Sequence, residues 1–163
     1  MKKDGSIWLI GKTKEEMGAS LYYRNMGKDC PNIPKTDFDS FMPRMEQLIQ
    51  AIEQGEVVAC HDISTGGIAT AVIEMCMSGN GAKINLTGEM RADIELFSES
   101  NGRWIVQVAK GSENNFARRF DHANKIGDVG SKVSFSKNNE IIADFEVEKL
   151  RKKWTMPVWD RLA

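Results

Sequence analysis

Two short stretches of this sequence carry residues able to do chemistry. The first is His61-Asp62-Ile63-Ser64-Thr65-Gly66-Gly67. A Ser/Thr/Gly-rich turn that opens a helix presents unpaired backbone N–H groups and the positive end of the helix dipole, the physical basis of an anion site. Gly66 and Gly67 would let a ligand approach the backbone with no Cβ in the way, and Ser64 and Thr65 could add hydroxyl donors. The same glycine pair equally suits a tight turn packed against a sheet, and a glycine pair alone does not decide between the two. His61 and Asp62 could serve acid/base or metal chemistry, but one His beside one Asp is far short of a metal-ligand set. A hydrogen-bonding or capping role is the favoured reading of that pair. The second stretch is Ser98-Glu99-Ser100 followed by Arg103. Its hydroxyls and carboxylate suit sugar or ammonium groups, and Arg103 suits a phosphate or Glu99 itself. The alternative is an ordinary turn held together by an Arg–Glu pair.

Other reactive residues read as structural. His122 stands alone in a polar region and is expected on the surface. Cys30, Cys60 and Cys76 match neither a zinc site nor a disulfide framework. Cys60 and Cys76 fall on apolar stripes and are expected to behave as small buried hydrophobes. Met45 and Met75 fall on expected core faces. The basic run Lys149-Leu150-Arg151-Lys152-Lys153 is expected to be the solvated face of a short helix.

The elements that must position these residues follow from periodicity. Ile7 to Ile10 is a short apolar run and reads as a strand. Residues 12–36, broken by Gly18, Gly27, Pro31 and Pro34, read as a long irregular loop. Phe41, Met45, Leu48, Ile49 and Ile52 recur on one helical face, predicting a helix over about 40–54. Ser40 is its expected cap, Pro43 falls in its first turn and Gly55 is its stop. Val57–Cys60 reads as a buried strand leading into the 61–67 turn, and a helix follows over about 68–77. Strands are expected at 82–86, 103–108, 126–129, 133–135 and 141–143, with Asn138-Asn139 as a hairpin turn. Ser112 is the expected cap of a short helix to Phe120, and a last helix is expected near 147–154, ending before Pro157. Interleaved helices and strands with local hairpins point to an α/β (α+β) domain with a mixed sheet. The span 126–143 is too short for the crossover helices of an all-parallel sheet.

Composition bounds the rest. The chain has 163 residues, 22 Lys+Arg against 23 Asp+Glu and a net charge of −1. That length suits one domain, 1–163, with a core over about 6–154. The near-neutral balance argues against a nucleic-acid partner. No apolar run reaches the ~20 residues of a membrane span, and the free-thiol pattern suits a reducing, cytoplasmic setting.

Taken together, the motifs resemble a known family. Cys60-His61-Asp62-Ile63-Ser64-Thr65-Gly66-Gly67-Ile68-Ala69-Thr70-Ala71 with Glu74-Met75 resembles the pattern HD-[IV]-S-D-GG-L-A-x-A-x-x-EM, and Gly81-Ala82-Lys83-Ile84 its following GA-x-[IV]. Leu96-Phe97-Ser98-Glu99-Ser100-Asn101-Gly102-Arg103 resembles LFSES-x-x-R. Ile7-Trp8-Leu9-Ile10-Gly11 and Met17-Gly18-Ala19-Ser20-Leu21-Tyr22 resemble I-Y-L-[IL]-G … LGGSEY. In this order they are similar to the last domain of the phosphoribosylformylglycinamidine synthase family, a domain type shared with aminoimidazole ribonucleotide synthetase and its relatives. The resemblance spans about residues 6–154.

It implies a three-layer α/β/α domain with a mixed sheet, forming the C-terminal fragment of a longer multidomain ligase. That family converts formylglycinamide ribonucleotide to the amidine with ATP, magnesium and glutamine-derived ammonia, in purine biosynthesis. The motifs look like the copy in the second half of the enzyme, mainly structural and lining an auxiliary site. On this reading the chain supplies no catalytic or metal-binding residue. His61, Asp62, Ser64, Thr65, Gly66, Gly67, Ser98, Glu99, Ser100 and Arg103 would lie near a ligand or anion. Thr65 stands where the family has Asp and Leu21 where it has Glu, which removes two carboxylates. The implied partners are the enzyme's remaining N-terminal domains, a glutamine amidotransferase subunit and a small accessory subunit. The fragment alone is expected to bind no cofactor and to be inactive. The alternatives are a hydrogenase-maturation, selenophosphate synthetase or thiamine-phosphate kinase type of relative, or a purely structural interaction module.

Overall fold

The computed structural model describes residues 1–162, with side chains through Met156. The chain runs β1 (Ser6–Ile10), α1 (Leu21–Asn25), α2 (Phe38–Glu53), β2 (Val57–Asp62), α3 (Gly67–Cys76), β3 (Gly81–Leu86) and α4 (Ala92–Phe97). It continues with β4 (Trp104–Val108), α5 (Glu113–Arg119), β5 (Ala123–Gly130), β6 (Lys132–Lys137), β7 (Glu140–Glu146) and α6 (Val147–Leu162).

The strands form one mixed sheet in the order β2-β4-β1-β5-β3-β6-β7. β1 lies between β4 and β5, antiparallel to both, and all five of its residues are buried. β3 and β6 make the parallel pair, Ala82 opposite Val133 through Leu86 opposite Lys137. Strand alternation sends successive side chains to opposite faces. Ile7, Leu9 and Ile105 accordingly join one core with α3, Leu96 of α4 and Val147 of α6. Trp8, Ile10, Val106 and Val108 join a second core with Leu48 and Ala51 of α2 and Phe116 of α5. Helices thus cover both faces, the expected three-layer mixed arrangement.

Several local expectations change. The cap of α2 is Asp37, whose side chain accepts from the Ser40 amide, so the helix starts two residues early and Pro43 falls in its second turn. Of the expected face of α2, Leu48 is buried, whereas Ile49 and Ile52 are 47% and 45% exposed and Met45 is half-buried. The inward line is Phe41, Arg44, Leu48, Ala51, of which Leu48 and Ala51 are buried and Phe41 and Arg44 half-buried. The second apolar line, Phe38, Met42, Met45, Ile49, Ile52, sits one residue on, about 100° around the helix, and turns away from the sheet. Ser112 makes no cap bond with its side chain; instead the Glu113 carboxylate accepts from the Gly111 amide at 2.7 Å. The loop 12–36 contains α1, capped by Ser20, and α4 is an element the periodicity does not show. α6 continues past Pro157 to Leu162. Asn138 and Asn139 both take positive φ, 50° and 69°, as a two-residue hairpin turn requires. Cys60 is exposed, because β2 is an edge strand with a neighbour on one side only, while Cys76 is fully buried. On α6, Lys149, Lys152 and Lys153 are exposed as expected, and Arg151 folds back onto the Met77 carbonyl. No described helix is long and apolar enough to cross a membrane.

Candidate functional site

The 61–67 turn is positioned by β2 and by the first turn of α3. Gly66 (φ +82°) is the residue before the helix and Gly67 (φ +65°) opens it, a left-handed pair that side-chain-bearing residues adopt at a cost. Space demands glycine as well. A Cβ on Gly67 would lie 2.5 Å from the Leu96 carbonyl oxygen and 2.8 Å from Phe97 Cα. The start of α3 therefore docks directly on the end of α4, as their shared core side chains also show.

That docking brings the two sequence stretches together. Glu99 Oε1 accepts from the Gly66 amide at 2.8 Å and from the Leu21 amide at 2.9 Å. The carboxylate drawn to the start of α3 is the protein's own, and it ties the α3 turn to the start of α1. Tyr22 of α1 stacks on Phe97 at 4.4 Å between centroids, closing the same junction.

Ser98 and Ser100 are buried and committed to the chain. Ser98 Oγ donates to the Lys14 carbonyl at 2.7 Å, and Ser100 Oγ accepts from the Lys14 amide at 3.2 Å. Arg103 is 1% exposed, and its guanidinium is committed to neighbouring oxygens of the chain rather than to Glu99. Its Nε and Nη2 donate to the Ser100 and Ser98 carbonyls at 2.8 and 2.6 Å, and its Nη1 donates to Thr13 Oγ1 at 2.8 Å. Burial pushes the guanidinium down to about 10, against the opposing pull of Glu16. The expected Arg–Glu pair is thus replaced by a clamp in which Arg103 satisfies loop carbonyls and Glu99 satisfies loop amides.

His61 has acceptors at both ring nitrogens, the Asp62 carbonyl at 2.6 Å from Nδ1 and Glu74 Oε2 at 3.1 Å from Nε2. Asp62, Ser64 and Thr65 point outward, with the Asp62 side chain 70% exposed. Among the described residues, no three His, Cys, Asp or Glu side chains gather as a metal would need. Cys60 faces solvent, yet partial burial of its sulfur and the nearby Asp62 push its thiol up to about 11, away from a nucleophile's range.

Sequence reading missed a cleft of about 510 Å³ beyond the ends of β1 and β3. Leu9, Ile68, Leu86 and Ile126 form its apolar wall, and Lys12, Glu95, His122 and Lys125 its polar one. Glu95, from the unforeseen α4, is buried and paired with Lys137 at 2.9 Å. His122, expected on the surface, is half-buried here, and its carbonyl accepts from the Gly11 amide at 2.8 Å. Nothing in the local sequence around Glu95 or His122 signals this, because the cleft is made by elements far apart in the chain.

Comparison with known proteins agrees with this architecture. The chain is 34% identical over 158 residues to the phosphoribosylformylglycinamidine synthase subunit PurL of Methanothrix thermoacetophila, covering 91% of this chain and 20% of the relative. It is 34% identical over 162 residues to the same-named subunit of Caldanaerobacter subterraneus, covering 94% and 22%. It thus spans about a fifth of the length of these curated relatives. Among solved structures, Thermotoga maritima PurL complexed with FGAR superposes with a TM-score of 0.76 at 18% identity, over 93% of this chain and 28% of that one, a likeness of fold. Residues 3–136 match the family described as "AIR synthase related protein, C-terminal domain". That match covers most of the chain and both clamp stretches, and the chain belongs to this family.

Proposed function

We propose that this chain is the C-terminal domain of a phosphoribosylformylglycinamidine synthase, and that it scaffolds the reaction without carrying out its chemistry. The observation that carries this reading is the 34% identity running through 91–94% of the chain to relatives about five times as long. The longer protein would use ATP to activate the amide oxygen of formylglycinamide ribonucleotide and replace it with ammonia, giving the amidine and releasing ADP and phosphate. Ammonia would reach it from a glutamine amidotransferase subunit, with a small accessory subunit in the complex.

ATP and magnesium belong, in this reading, to the other domains. The residues here fit them poorly, since Glu99 holds the Gly66 amide and no carboxylate cluster is formed among the described residues. This chain contributes a rigid junction in which Glu99, Arg103, Ser98 and Ser100 lock loop 12–21 against the starts of α1 and α3. The outward groups Asp62, Ser64 and Thr65 and the second apolar line of α2 would face the remaining domains.

The test is amidine formation by the chain alone and by the longer protein. The chain alone should show no ATP-dependent turnover. In the longer protein, His61→Ala should stay within a few-fold of wild type, whereas Gly67→Val should lose both activity and stability through its clash with the end of α4. Turnover by the isolated chain, or loss of turnover in a fully stable His61→Ala protein, would overturn the scaffolding role.

A further inference from the structure

Four cations of this domain gather away from the glycine turn. Lys12 and Lys14 follow β1, Lys35 ends the loop before α2, and Arg44 comes from the second turn of α2. With Asn101, His122 and the hydroxyls of Thr36 and Ser40, they line a pocket of about 140 Å³. Asp37 is its lining carboxylate, and it is already engaged: it accepts from the Ser40 amide at 3.4 Å and from Ser40 Oγ at 2.8 Å. Lys14 has the buried Glu16 at 3.9 Å, and Arg44 donates to the Gly102 carbonyl at 2.9 Å. Lys12 and Lys35 have no ion-pair partner among the described residues. Four cations against two carboxylates, Asp37 and Glu16, is a local positive excess in a chain whose net charge is −1. Like charges lining one pocket repel one another, and a shared anion relieves that repulsion.

We propose that this pocket binds a phosphate dianion, either as free phosphate or as the phosphate end of a phosphomonoester. Lysines supply mobile point charges and Arg44 a planar fork, the usual pairing for phosphate oxygens. At ~10–15 Å³ per water, the pocket has room for a phosphate and several waters. The organic half of a monoester has somewhere to go. Lys12 and His122 line both this pocket and the 510 Å³ cleft, whose wall of Leu9, Ile68, Leu86 and Ile126 is apolar. The proposal stands on this pocket alone and does not depend on the enzyme assignment.

Calorimetric titration of the 163-residue chain in chloride buffer, with inorganic phosphate and separately with phenyl phosphate, tests it. One-to-one saturable binding is expected, weakened about tenfold or more in Lys12→Ala/Lys35→Ala. Arg44→Gln should weaken it several-fold, and Lys149→Ala on α6 should leave it unchanged. Phosphate should also raise the Tm of the wild type but not that of the double variant, which separates lost binding from lost folding. Tighter binding of phenyl phosphate identifies a phosphomonoester whose organic half enters the cleft, and equal binding identifies free phosphate. Either result supports the anion pocket. Absence of saturable binding by both probes, or binding unchanged in the double variant, overturns it.

Discussion

Glu99 places one carboxylate oxygen on two backbone amides from segments 45 residues apart, Leu21 and Gly66. Each of those N–H groups begins a helix and has no intrahelical partner of its own. Glu99→Ala should therefore cost about 1–3 kcal/mol in urea unfolding, with an unchanged m-value, while Glu99→Gln, which keeps an acceptor oxygen but not the charge, should cost about half as much. A neutral Glu99→Ala would show that the junction is held by packing alone. The residue types in both stretches were legible as polar and conformationally special. Their partners were not: Arg103 and Glu99 lie four apart and invite pairing, yet Arg103 turns to the Ser98 and Ser100 carbonyls and the Thr13 hydroxyl, and Glu99 to the Leu21 and Gly66 amides.

For single elements, helix α2 shows how far periodicity reaches. The spacing of Phe41, Met45, Leu48, Ile49 and Ile52 announces a helix, and the helix is there. It does not say which part of a broad apolar surface meets the sheet. Leu48 is 4% exposed and its neighbour Ile49 47%. Leu48→Ala should accordingly cost about 2–4 kcal/mol, and Ile49→Ala less than about 1 kcal/mol, by chemical denaturation of the chain. Equal costs would mean that the outer line of α2 is covered within the chain itself. The short helices α1 and α4 escaped notice for a related reason. At five and six residues they have too few turns to show a period, and docking stabilises them rather than propensity.

For the whole molecule, the layering gives a pH dependence. Cys76 lies in the core between α3 and the sheet, and burial pushes its thiol up from 9.0 to about 12. Cys60 moves to about 11. A thiol that holds its proton in the folded state and releases it when unfolded stabilises the fold fully below pH 9. That contribution is lost as pH rises through the folded value. Global stability should thus fall above pH 9. The wild-type slope should exceed that of Cys76→Ala by up to about 1.4 kcal/mol per pH unit, the linkage of one proton. Parallel slopes would place the Cys76 thiol in solvent.

The sequence by itself determined the strands and longer helices, their order and the family, because strand alternation, helical spacing and four ordered motifs are local properties of the chain. It also determined that the sheet is mixed, since the span from β5 to β7 leaves no room for crossover helices. Tertiary structure alone decided what the special residues do. Glu99 rather than a ligand meets the glycine turn, Arg103 binds carbonyls in the interior, and β2 at the edge leaves Cys60 in solvent. The basic pocket is of the same kind, since Lys12, Lys35, Arg44 and His122 mean nothing in sequence until the ends of β1 and α2 are brought together. Charge and hydrogen bonding act over a few ångströms of space, and distance along the chain does not measure that.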